Sequence, residues 1–87
     1  MTPEEELDRA MEAQALMSHP LFKEAIAAQR EALIAGIERS AFADEKLREK
    51  LCQQLVALTT FVNAIKTHVE TGQLAQETIK RRSKASR

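Results

Sequence analysis

The chain has 87 residues, of which 44% are hydrophobic and 30% charged. That is one domain at most, and too few residues to bury more than about 60–65% of the unfolded surface. Thirteen basic and thirteen acidic side chains cancel to a net charge of zero, and Cys52 is the single cysteine. An intrachain disulfide is therefore excluded, no metal-ligand spacing links Cys52 to His19 or His68, and the core must come from Leu, Ile, Val and Ala with three phenylalanines.

The first element starts at Thr2-Pro3-Glu4-Glu5. Thr2 can cap, Pro3 suits the first helical position and Glu5 completes a capping box. The acids that follow favour a helix N-terminus electrostatically. A helix over 3–17 is expected, with Leu7, Met11 and Met17 toward one side. Ser18-His19-Pro20 ends it, because proline pushes the residue before it out of the α region.

The second helix is expected over 20–39, with two apolar stripes. Phe22, Ile26, Leu33 and Ile37 form a bulky one; Leu21, Ala25, Ala28, Ala32 and Ala35 form a flat one. At ~100° per residue their centres lie roughly 130° apart, an arc wider than one neighbour needs. The alanines fit either a close-approach seam or high helix propensity on a surface. A short loop follows, with Phe42 expected as a plug over the hairpin end and Asp44 as the next N-cap. The short connection makes the flanking helices antiparallel neighbours.

The third helix is expected over 45–71, with Gly72 as its C′ residue. Leu51, Leu55, Leu58, Val62, Ile65 and Val69 recur at intervals of 4, 3, 4, 3 and 4. That is a heptad seam, the pattern of a helix pressed against another helix. The fifteen residues from Leu51 to Ile65 carry no charge, so the flanks of the seam are not fully solvated either. One or two further turns could run through Leu74 and Ile79, and disorder is expected from Lys80 onward. The expected domain is 1–79, with 80–87 as a basic tail.

Chemistry is sparse. No Gly-rich phosphate loop, placed nucleophile or metal set is present, so neither an enzyme nor a small-molecule or cofactor site is expected. Cys52 beside the seam is expected as a small buried hydrophobe. Gln29 and Gln54 lie where buried amides could fix register. The charge distribution is the one ligand-like signal: Glu4, Glu5, Glu6, Asp8 and Glu12 crowd the start, and Lys80, Arg81, Arg82, Lys84 and Arg87 crowd the end. The basic run could contact nucleic-acid phosphates in a salt-sensitive way, meet an acidic protein surface such as a neighbour's first helix, or only aid solubility. No signal peptide is recognised, and no run reaches the ~18–20 apolar residues of a membrane span, so a cytoplasmic protein without membrane contact is expected.

His19-Pro20-Leu21-Phe22, Glu24-Ala25, Asp44 after a short loop, the long seam and Val69-Glu70-Thr71-Gly72-Gln73-Leu74-Ala75 together resemble a family of small helical proteins of tailed bacteriophages and prophages. The similarity spans roughly Leu7 to Leu74, through motifs of low specificity: a helix start, a loop cap and a helix stop. The resemblance implies a phage origin, with genes near those of virion head and packaging proteins. It implies no activity and supplies no catalytic residues, and the basic end lies beyond its pattern.

The sequence thus reads as all-α: a short N-terminal helix leading into an antiparallel helical hairpin that oligomerises as a helix bundle or coiled coil. The expected function is that of a non-enzymatic phage or prophage accessory or assembly factor, acting through homo-oligomer and protein–protein contacts. Self-association is expected along Leu51, Leu55, Leu58, Val62, Ile65 and Val69, with Phe22, Ile26, Leu33 and Ile37 closing the hairpin. The sequence alone does not divide these ten between intrachain core and interface. A nucleic-acid-binding oligomer using the basic tail, and a helical adaptor or chaperone for one partner, are the alternatives.

Overall fold

The computed structural model describes residues 1–85, and these form three helices: α1 (Pro3–Ser18), α2 (Pro20–Arg39) and α3 (Glu45–Ala85). The fold class is all-α. The helix starts follow the capping logic. Thr2 Oγ1 accepts from the Glu5 backbone N–H at 3.2 Å and donates to Glu5 Oε1. That variant of the box ties the two side chains together rather than returning Glu5 to the cap N–H. Asp44 Oδ1 accepts from the Leu47 backbone N–H at 3.2 Å. His19 ends α1 in extended geometry, its N–H bonded to the Leu16 carbonyl.

The chain packs as two units that share α3. One comprises Pro20–Val62; the other comprises Met1–His19 with 63–87, described here as far as Ala85. In the first, α2 runs antiparallel to the first part of α3. A Cβ on Gly36 would lie 3.2 Å from Leu51 Cδ1, and Arg30 donates to Thr59 Oγ1 at 3.4 Å farther along. Leu33 and Val62 are the buried apolar residues of this unit. In the second, α1 runs antiparallel to the last part of α3, and the buried side chains are small: Ala10, Ala13 and Ala75. Gly72 is buried among them, and a Cβ there would sit 2.0 Å from Ala10 Cβ. The two helices meet there nearly backbone to backbone.

Three expectations are corrected. α3 does not stop at 71: it passes through Gly72 and continues to Ala85, and no described glycine has positive φ. Gly72 is in the chain for close approach, not for a left-handed cap. The segment from Lys80 is helical as far as Ala85, because Lys and Arg are good helix formers and cations suit a helix C-terminus; residues 86–87 lie outside the described ones. Phe42 is no plug. It is 95% exposed, because the end of the hairpin is closed instead by Arg48, whose guanidinium donates to Ser40 Oγ, the Ala41 carbonyl and the Phe42 carbonyl at 3.0–3.1 Å.

Arg48 thus supplies donors to the loop that follows α2, adding to the backbone bond that the Asp44 N–H makes to the Ala41 carbonyl at 2.9 Å. Ser40 adds a hydroxyl bond to the Ile37 carbonyl at 2.6 Å. Replacing Arg48 with methionine keeps the aliphatic stem and removes all three bonds. A loss of about 1–2 kcal/mol is expected, read as a lower urea midpoint with an unchanged slope.

Candidate interaction surfaces

Helix α3 positions the seam and the two shorter helices cover it. In the hairpin unit Leu51, Leu55 and Leu58 are half-buried and Val62 is buried, facing half-buried Phe22, Ile26 and Ile37 and buried Leu33. In the other unit Ile65, Val69 and Ile79 are half-buried beside the small residues of α1. All ten seam and hairpin residues named from the sequence therefore lie on intrachain packing sides. The seam pattern was legible; that α1 and α2 would cover it in succession was not.

What remains uncovered lies elsewhere. Phe61 is 54% exposed, Val56 64% and Leu74 65%, and Leu47 is also exposed. On α2, Ala25, Ala28 and Ala32 are exposed, so their stripe is not a seam within the chain. Gln29 and Gln54 are exposed and fix no register inside it. Cys52 is exposed rather than buried, since ~100° per residue turns it off the Leu51–Leu55 side toward solvent. The whole chain, of 9.8 kDa, exposes 6810 Å².

The basic end is sorted by the helix. Arg82 reaches α1, where it pairs with Glu4, and Arg81 pairs with Glu77 one turn back at 3.8 Å. Lys80, Arg81 and Lys84 project within about 100° of one another on α3 and are exposed. Arg87 lies outside the described residues. The acidic start of α1 and the basic end of α3 are therefore neighbours within one chain, a pairing expected from the sequence only between subunits.

Two open depressions lie in the α1 unit. One, of about 270 Å³, is lined by Gln14, Met17, Lys66, Val69 and Glu70. The other, of about 180 Å³, is lined by Arg9, Glu12, Ala13, Leu16, Ile65 and His68. His68 is exposed and shares that lining with the charged side chains of Arg9 and Glu12. Among the described residues, no three His, Cys, Asp or Glu side chains gather as a metal would require, and no helix is long and apolar enough to cross a membrane. No protein-family model, curated protein or solved structure matches the chain.

Proposed function

We propose that this protein is a non-enzymatic helical assembly factor that works by associating with copies of itself. One observation carries the reading: within the hairpin unit the large apolar side chains of Leu21, Leu47, Val56 and Phe61 stay exposed. Its intrachain core is correspondingly thin. Large apolar side chains left uncovered within the chain are available to a partner, and oligomerisation is how small domains gain the burial they lack. The resemblance to small helical phage and prophage proteins suggests the setting, a step near virion head assembly or packaging in the host cytoplasm.

Light scattering across a dilution series tests this reading. A molar mass of two or more chains, falling on dilution, is expected; a compact, cooperatively melting monomer at all concentrations removes it. A nucleic-acid reading has one supporting observation, the exposed cluster of Lys80, Arg81 and Lys84 on a helix rather than a loose tail. It predicts that DNA affinity falls with salt at a log–log slope near −2.7 if three phosphates are neutralised. Truncation after Ile79 would abolish that binding, and an unchanged affinity would exclude the reading. No observation favours an adaptor for a single foreign partner.

A further inference from the structure

We draw no further inference here: the strongest candidate, the exposed and uncharged stripe of Leu21, Ala25, Ala28 and Ala32 on α2, carries nothing because nothing in the structure shows what covers it.

Discussion

Leu33→Ala is expected to cost about 2–4 kcal/mol, a large share of what holds the hairpin unit together. Leu33 is 6% exposed and is the one buried side chain of α2. Removing its isopropyl group loses the transfer energy and leaves a hole between α2 and α3. Neighbours with bulk to refill it are few, since Ile26 and Ile37 already pack at half-buried positions. A whole domain of this size holds only about 5–10 kcal/mol, so a single truncation removes a large fraction. Urea denaturation followed by circular dichroism reads the loss; a shift below about 1 kcal/mol would mean that the hairpin is held together by something other than this contact. In a self-associating chain the midpoint must be compared at equal protein concentration.

Gly72→Ala is expected to detach α1, although the substitution raises helix propensity by about 1 kcal/mol. The new methyl carbon would lie 2.0 Å from Ala10 Cβ, with Ala10 Cα and the Glu6 carbonyl each 3.6 Å away. Ala10 has no flexible side-chain end that could swing aside, so the helices must separate until the methyls reach ordinary contact. Overpacking of this kind costs about 1–3 kcal/mol, and the α1 contact has little apolar area with which to absorb it. Faster amide hydrogen exchange in residues 3–18, with the hairpin unchanged, is the expected signature. Gly72→Ala with Ala10→Gly should recover much of the protection. Greater protection in the single variant would show that the close approach is not what glycine provides.

The parts legible in the sequence were those encoded by neighbours in the chain. Thr2-Pro3 and Asp44 marked helix starts, Ser18-His19-Pro20 marked a boundary, and α2 begins and ends where its pattern does. Errors came where the deciding partner was far away. Gly72 looks like a helix stop to a local eye, and only Ala10, sixty-two positions earlier, makes it a contact residue. Phe42 looked like a plug because nothing nearby revealed that Arg48 would close the loop. The basic end read as disordered on composition alone. Arg82 pairing with Glu4 and the favourable placement of cations at a helix C-terminus both required knowing that α3 continues.

The antiparallel pairing of α1 with the last part of α3 also sets an order of events. The hairpin contacts join residues 15 and 29 positions apart, whereas the α1 contacts span 62 and 78. Near contacts close quickly and remote ones slowly. On a ribosome, α1 emerges before α3 and has no intrachain α3 to dock on until the last third of that helix has been made. A nascent chain therefore carries an undocked leading helix throughout its synthesis, and that helix is free to find another chain's α3 before its own exists.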